Sequence, residues 1–458
     1  MSRDRLPGPR GRAHVRALRR LFAEPHAVLD ELRREHGPVF GLGAGPVRLA
    51  VVGDPDALRD LFATPSSSFR WGHRFNVLGF VVGEGSMIVS DGPDHERRRS
   101  SVRAAFTRRR LNGWIPMILG QTDVAVDRLA ARLDGHDEVV DLYPVGRSLV
   151  LGVAVRALFG PRLASRTEEL GQLFERPQAY LEAPAIRQLP HRFPFTARAR
   201  ARADRRAIDA ILDARIAEIR RSPTDDPLDV LEALVFDGKL SDAEIRDQVV
   251  SLIGAGYNTT AAALSWMLWR VTLTPGMWAR LREEAVRELG PWAPVTTGDA
   301  AGAAPDVLAR LVLADQVVHE SLRLHPASVF APRQAICDLA VAGHRIRAGT
   351  LVMWSAHLAG REPSAWPDPL RFDPDRFVAR DAEARARTRQ AWVPFGQGAR
   401  NCIGFALAQM ELTLIIARLA QRLDVSALTT RVPDPVGMVV CRPGGGAPMR
   451  VAVYDVKR

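Results

Sequence analysis

The sequence predicts a mainly α protein with small β-sheets, and three patterns in its 458 residues carry that prediction. Ser241-Asp-Ala-Glu244 is a capping box: the serine hydroxyl accepts from the N–H three residues on, and the glutamate reaches back to the serine N–H. No proline follows until Pro275, so a helix of roughly 50 Å is expected there. Helical periodicity also dominates from Gly113 to Arg221, where Ile208, Ile211, Leu212, Ile216 and Ile219 form an apolar stripe on an arginine-rich helix. Strand-like runs, by contrast, are short and scattered: Val47, Leu49 and Val51, then 341–353 and 436–453.

Residues 1–20 read as a basic arm, and 21–458 as a single domain. Ala23 to Glu35 predict an amphipathic helix ended by Gly37-Pro38, and Asp54-Pro55 opens the next. Between them, Gly41-Leu-Gly-Ala-Gly-Pro46 resembles a dinucleotide loop superficially, but proline stands where the third glycine is needed, so a hairpin turn is expected. No other glycine pattern supports a nicotinamide or flavin domain. From Ser68 to Ser90 the pattern is irregular, with Trp71, His73, Phe75 and Phe80 among glycines. Pro93 suits a first helical turn, and that helix sets His95 and Arg99 four apart on one face. Prolines 116, 144, 161, 177, 184, 190 and 194 are expected to interrupt the helices that follow. In the long helix the middle, Val249 to Gly256, is apolar or small on nearly all sides and is expected to be buried. Gly444-Gly445-Gly446 reads as a loop between strands.

The net charge of +11 comes almost entirely from arginine, with lysine only at 239 and 457. Alongside abundant Ala, Gly and Pro this is a compositional bias rather than a selected basic face, and no nucleic-acid partner is expected. Cys337, Cys402 and Cys441 are too few and too scattered for a disulfide framework or a zinc site, which fits a cytoplasmic compartment. The arginine-studded start has no apolar run of signal-peptide length, and no stretch of about 18 uncharged apolar residues occurs, so no membrane span is expected.

The stretch that carries chemistry is Phe395-Gly-Gln-Gly-Ala-Arg-Asn-Cys-Ile-Gly404. Gly396, Gly398 and Gly404 permit backbone shapes and close approaches that side chains would block. A thiolate at Cys402 is able to hold haem iron from one side, Arg400 to pair with a carboxylate such as a propionate, and Phe395 to pack on a flat ring. These ten residues resemble the cysteine-ligand loop of the cytochrome P450 family. The resemblance extends, in order and spacing, over essentially the whole chain after the first twenty or so residues. It implies the family's fold: a long central helix, a cysteine-ligand loop and haem buried between helices, the cofactor being haem b (iron protoporphyrin IX).

Carried over residue by residue, the resemblance implies that Cys402 is the iron ligand and that His95, Arg99 and Arg333 grip haem propionates. Ala255 and Gly256 would leave room beside a flat cofactor or diatomic ligand, and Arg97, Arg98, Arg103 and Arg108 would present positive charge outward. The proline-broken stretch from Arg176 to Phe195 would cover the pocket, which residues such as Val329 and Phe330 would line. His319-Glu320-Ser-Leu-Arg323 is no zinc motif, because Arg323 stands where a second histidine belongs. With Arg376 downstream, Glu320 and Arg323 match the structural signature that braces the cysteine loop. Gly404, Ala408 and Glu411 also match the family's pattern on the following helix.

One departure stands out. The family's oxygen-activation motif places an acid before its threonine, whereas here Asn258 precedes Thr259. A carboxylate relays protons; a neutral amide is a poor carrier, although it orders water. The leading expectation is a haem-thiolate monooxygenase that hydroxylates or epoxidises a small, mainly apolar organic substrate with O2. Its electrons would come from a ferredoxin or flavodoxin with its reductase. The alternatives are a haem-thiolate peroxygenase, a coupling, desaturating or rearranging enzyme, or a non-catalytic haem-binding sensor.

Overall fold

The computed structural model describes residues 6–44, 47–71, 77–133, 136–183, 185–188, 191, 193–293, 306–378, 381–437 and 439–454. Arg3, Arg5, Gly45, Pro46, His73, Phe75, Pro184, Pro190 and Lys457 lie outside them. By internal packing the chain divides into two compact units, one formed by residues 1–73, 319–402 and 434–444, the other by 74–318, 403–433 and 445–458.

The first unit is built on a five-stranded sheet in the order Val39–Ala44, Val47–Val52, Leu351–Trp354, Ala331–Ala335, Phe69–Arg70. Val47–Val52 runs parallel to Leu351–Trp354, and the other neighbours are antiparallel. The hairpin expected at 41–46 is present, but Gly41 to Ala44 are strand. The pairing runs as far as Ala44 with Val47. Asp54 caps the helix Pro55–Ala63 by accepting from the N–H groups of Asp56 and Ala57. That helix drops Leu58 and Leu61 onto Val39, Val52 and Val352 of the sheet, and Val393, just before the cysteine loop, joins the same core. Gly11–Ala23 is a helix, unannounced because its N-cap is Arg10 with no side-chain cap, and held by the burial of Ala17 and Leu21.

The second unit is organised around the helix Asp242–Thr272, 31 residues and about 46 Å long. Its capping box forms as the sequence predicts, Ser241 Oγ accepting from the Glu244 N–H while Glu244 Oε2 accepts from the Ser241 N–H. The helices Leu142–Phe159 and Phe405–Arg422 pack against it, and Phe405–Arg422 also meets Ile115–Leu133 and Met277–Leu289. A buried ion pair ties Phe405–Arg422 to Ile115–Leu133, Arg418 donating to both oxygens of Asp123 at 2.6 and 2.9 Å. A three-stranded antiparallel sheet, Glu138–Asp141, Pro448–Val453, Leu423–Ala427, completes the unit.

Two expectations are corrected here. Pro177 does not interrupt its helix: Thr167–Leu181 continues through it, with Pro177 buried near the C-terminal end. The stretch Val249 to Gly256 is buried at Val249, Val250, Ser251 and Ile253 but not at Ala255 and Gly256, the two small residues that the resemblance sets beside the cofactor. Among the described helices, Leu142–Phe159 alone is long and apolar enough to cross a membrane; it contains Arg147 and Arg156 and is mostly buried in protein.

Candidate active site

In the first unit, the cysteine loop hangs from the end of Val393 by short backbone bonds. The Gly396 N–H donates to Val393 O at 3.0 Å, the Asn401 N–H to Gly398 O at 3.2 Å, and the Cys402 N–H to Phe395 O at 2.8 Å. Gly396 and Gly398 take φ values of 67° and 74°, the left-handed region where a side chain is strained, and a Cβ at Gly396 would come within 3.1 Å of Trp354. The loop presents Cys402 on the exposed side. Phe395 packs edge-on against Trp392 at 5.8 Å, and Trp392 donates from Nε1 to His319 O at 3.0 Å while lying 4.5 Å from the His319 ring. The loop is thereby tied to the segment that carries Glu320.

Glu320 and Arg323 are both buried, and Arg376 joins them as expected. Arg323 donates from Nε and Nη2 to the two Glu320 oxygens at 2.6 and 2.8 Å, and Arg376 Nε donates to Glu320 Oε1 at 3.0 Å. The Asp373 N–H donates to the same oxygen at 2.8 Å. The remaining guanidinium hydrogens go to carbonyls: Arg323 to Gly360, Pro369 and Arg371, and Arg376 to Pro367, Asp368 and Arg371. Buried Glu320 and Arg323, with half-buried Arg376, thus find several charge-assisted partners each, which is the condition for tolerating desolvation. Gly360 is required by that contact, since a Cβ there would fall 2.2 Å from Arg323 O.

Arg333 and Arg400 also come together, in an aromatic cage that the sequence did not announce. The Arg400 guanidinium stacks 3.9 Å over Trp71, and that of buried Arg333 sits 4.9 to 5.6 Å from the rings of Phe69, Phe62 and Trp71. Burial, and after it the charge of Arg400, lowers the Arg333 pKa to about 10. Two guanidiniums held this close favour an anion beside them.

In the second unit, His95 is buried and Arg99 half-buried on the helix Gly92–Ala105. Arg97 and Arg98 do not point outward as expected. Arg97 donates to both Glu244 oxygens at 2.6 and 3.1 Å and Arg98 Nε to Glu244 Oε1 at 3.0 Å. Those bonds, Arg97's first, bring the Glu244 pKa down to about 2. Arg103 and Arg108 remain exposed.

On the long helix, Thr259 Oγ1 donates to Ala255 O at 2.6 Å and approaches Gly256 O at 3.1 Å, the back-bonding geometry expected of a mid-helix threonine. A Cβ placed on Gly256 would meet nothing within 4 Å, so the helix has open space beside it. Asn258 is buried, and its Nδ2 finds no hydrogen-bond partner among the described residues; the hydroxyl of buried Tyr257 is in the same condition.

Glu411 has a property that its spacing alone did not reveal. It is buried on Phe405–Arg422, its Oε1 is without a partner among the described residues, and burial pushes its pKa up to about 8. Between the ordinary value of 4.5 and about 8 the folded protein therefore keeps a proton that the unfolded chain releases. Stability should fall as pH rises through that window, by about 1.4 kcal/mol per pH unit for this one group, and level off above it. Glu411→Gln removes the slope. Thermal unfolding of both proteins from pH 5 to 9 should show the variant's advantage growing up to pH 8; parallel curves would refute the assignment.

The sequence matches the family described as Cytochrome P450 over residues 13–446. It is 34% identical over 438 residues to the cytochrome P450 139 protein of Mycobacterium tuberculosis, covering 93% of this chain and 97% of that protein. It is 31% identical to the pentalenene oxygenase of Streptomyces avermitilis, over 88% of this chain and 87% of the other. A retinoic-acid-bound cyanobacterial CYP120A1 structure superposes with a TM-score of 0.84 at 24% identity, covering 98% of this chain and 99% of that one. A zebra fish cytochrome P450 with abiraterone gives 0.75 at 23% identity, over 94% and 100%. The fold is the one these structures share, and the chain belongs to the cytochrome P450 family, haem-thiolate monooxygenases whose cofactor is iron protoporphyrin IX.

Proposed function

We propose that this monooxygenase oxidises a small, mainly apolar organic molecule by hydroxylation or epoxidation. Electrons come from a separate ferredoxin or flavodoxin and its reductase, in the cytoplasm and as part of specialised metabolism. The observation that carries the reading is Cys402 in a loop held by its own backbone bonds and tied through Phe395 and Trp392 to His319, next to the Glu320–Arg323–Arg376 cluster. The relative named pentalenene oxygenase supports an oxygenase acting on an organic substrate. We also read both units as parts of one domain, a reading supported by a family match that spans 13–446.

Two observations support the fit of the cofactor to these residues. The Arg333–Arg400 pair suits a carboxylate group, and the open side of Gly256 suits a flat ring. Cys402 would hold the iron through Sγ; Arg333 and Arg400, with His95 and Arg99, would hold propionates; Phe395, Gly396, Gly398 and Ala255 would shape the walls. When bound through a thiolate, haem supplies one-electron and dioxygen chemistry. The protein's own contribution is positioning and proton handling. Thr259 Oγ1, turned toward Ala255 O, is a hydroxyl that can pass on a proton, while Asn258 offers an amide that orders water without titrating.

Asn258 also favours a second reading, in which the enzyme draws on peroxide or couples, desaturates or rearranges its substrate. One variant separates the two. With a ferredoxin system, Asn258→Asp is expected to raise productive turnover by up to about tenfold, within what a positioned acid contributes, and to leave peroxide-supported turnover unchanged. Equal rates of the wild type and Asn258→Asp under the ferredoxin system would show that position 258 does not limit proton delivery; wild-type turnover with peroxide alone, and none with the ferredoxin system, would overturn the first reading in favour of the second.

A further inference from the structure

Two features of the sequence take no part in this chemistry, the basic arm and the glycine-rich hairpin, and the fold brings them to one place. Pro7 O accepts from the Gly41 N–H at 2.7 Å, and a Cβ on Gly8 would fall 2.2 Å from Gly41 O, so the arm lies directly on the strand Val39–Ala44. His14 completes the attachment. Its Nε2 accepts from the Gly43 N–H at 3.2 Å and its Nδ1 faces Pro9 O at 3.3 Å, which together require the neutral ring with its proton on Nδ1.

Between arm, hairpin and the segment 345–350 lies a cavity of about 650 Å³, within the range of small-molecule sites. Its charged walls are Arg10, Arg48, Arg345 and Arg347, and among the described residues that line it there is no Asp or Glu. Asp338 pairs with Arg345 from outside that lining. Arg48 donates from Nη2 to Ala348 O at 3.0 Å, but its buried Nε has no partner among the described residues. The first turn of Gly11–Ala23 also opens here, with no side-chain cap and no acidic residue to offset its dipole. Leu6, Leu49 and Ile346 supply apolar wall.

We propose that this cavity binds an amphiphilic oxyanion, a phosphate monoester or carboxylate bearing an apolar chain or ring. The arginines and the uncapped helix turn take the oxyanion, since guanidinium forks match its geometry and free N–H groups at a helix start favour negative charge. The apolar wall takes the remainder. The same headgroup chemistry occurs in a free metabolite and in an anionic lipid, and the shared recognition is what the cavity provides.

Isothermal titration calorimetry of the holoprotein with monomeric decyl phosphate tests this, with inorganic phosphate and decanol as partial ligands. Binding of decyl phosphate without displacement of the haem absorption band is expected, at least about tenfold tighter than either partial ligand, as the loss of one charged or apolar contact set implies. Arg48→Gln with Arg347→Gln should weaken it by about tenfold or more, and the exposed pair Arg10→Gln with Arg347→Gln should do likewise without touching a buried residue. Thermal unfolding confirms that each variant is folded. Vesicles of phosphatidylglycerol against phosphatidylcholine then separate the lipid source from the free one. Absence of decyl phosphate binding, equal binding of decanol, or unaltered affinity in both folded variants would overturn the proposal.

Discussion

Replacing Cys402 by serine should abolish the red-shifted absorption that carbon monoxide gives with a reduced thiolate-bound haem, and lower turnover by more than about a hundredfold. Hydrogen-bond partners one shell further from a metal are already worth about 10–100-fold, and the ligand itself must be worth more. The fold has little reason to follow. The loop is held by the backbone N–H of residue 402 to Phe395 O, a bond serine keeps. The circular dichroism of the variant should therefore stay that of the parent. The other two cysteines serve as controls: Cys337 is exposed, and buried Cys441 places its Sγ 3.1 Å from His26 Nε2. Their serine variants should keep the band. Survival of the band in Cys402→Ser, with its loss in either control, would reassign the ligand.

The second large effect lies in the buried charge cluster. Arg323→Ala leaves the Glu320 carboxylate buried with only Arg376 and the Asp373 N–H, and strips hydrogen bonds from the carbonyls of Gly360, Pro369 and Arg371. Breaking a buried pair in this way costs about 3–5 kcal/mol, a large part of the roughly 5–15 kcal/mol that holds a typical domain together. Little folded protein is expected. Arg323→Lys should not rescue it, because one ammonium cannot reproduce a planar fork that meets Glu320 twice and three carbonyls besides. The exposed Arg387–Glu383 pair is the contrast, where alanine should change stability by less than about 0.5 kcal/mol. Urea denaturation of the three variants measures the difference; comparable midpoints would show that the cluster is not a stabilising brace.

Both effects were legible in the chain because their parts sit close together or at fixed helical spacing. The cysteine loop is ten consecutive residues, Glu320 and Arg323 are one turn apart, and the capping box spans four positions. Where pairing reaches across the sequence, the local pattern falls silent. Glu138–Asp141 and Leu423–Ala427 are too short to declare themselves and become strands by pairing with Pro448–Val453. Trp71 and Phe62 are ordinary aromatics until Arg333 is folded against them. Arg97 and Arg98 look like a solvated basic face because nothing near them in sequence announces Glu244, almost 150 positions away. The helix Gly11–Ala23 was hidden for the opposite reason, since its start carries none of the side chains that mark a helix opening.

Glu244 itself serves two masters. One oxygen closes the start of the helix that bears Asn258 and Thr259, and both oxygens grip the arginines of the helix that bears His95 and Arg99. The carboxylate thus pins the start of one helix to the side of the other, so that a substitution at Glu244 would uncap the first and release the arginines of the second together.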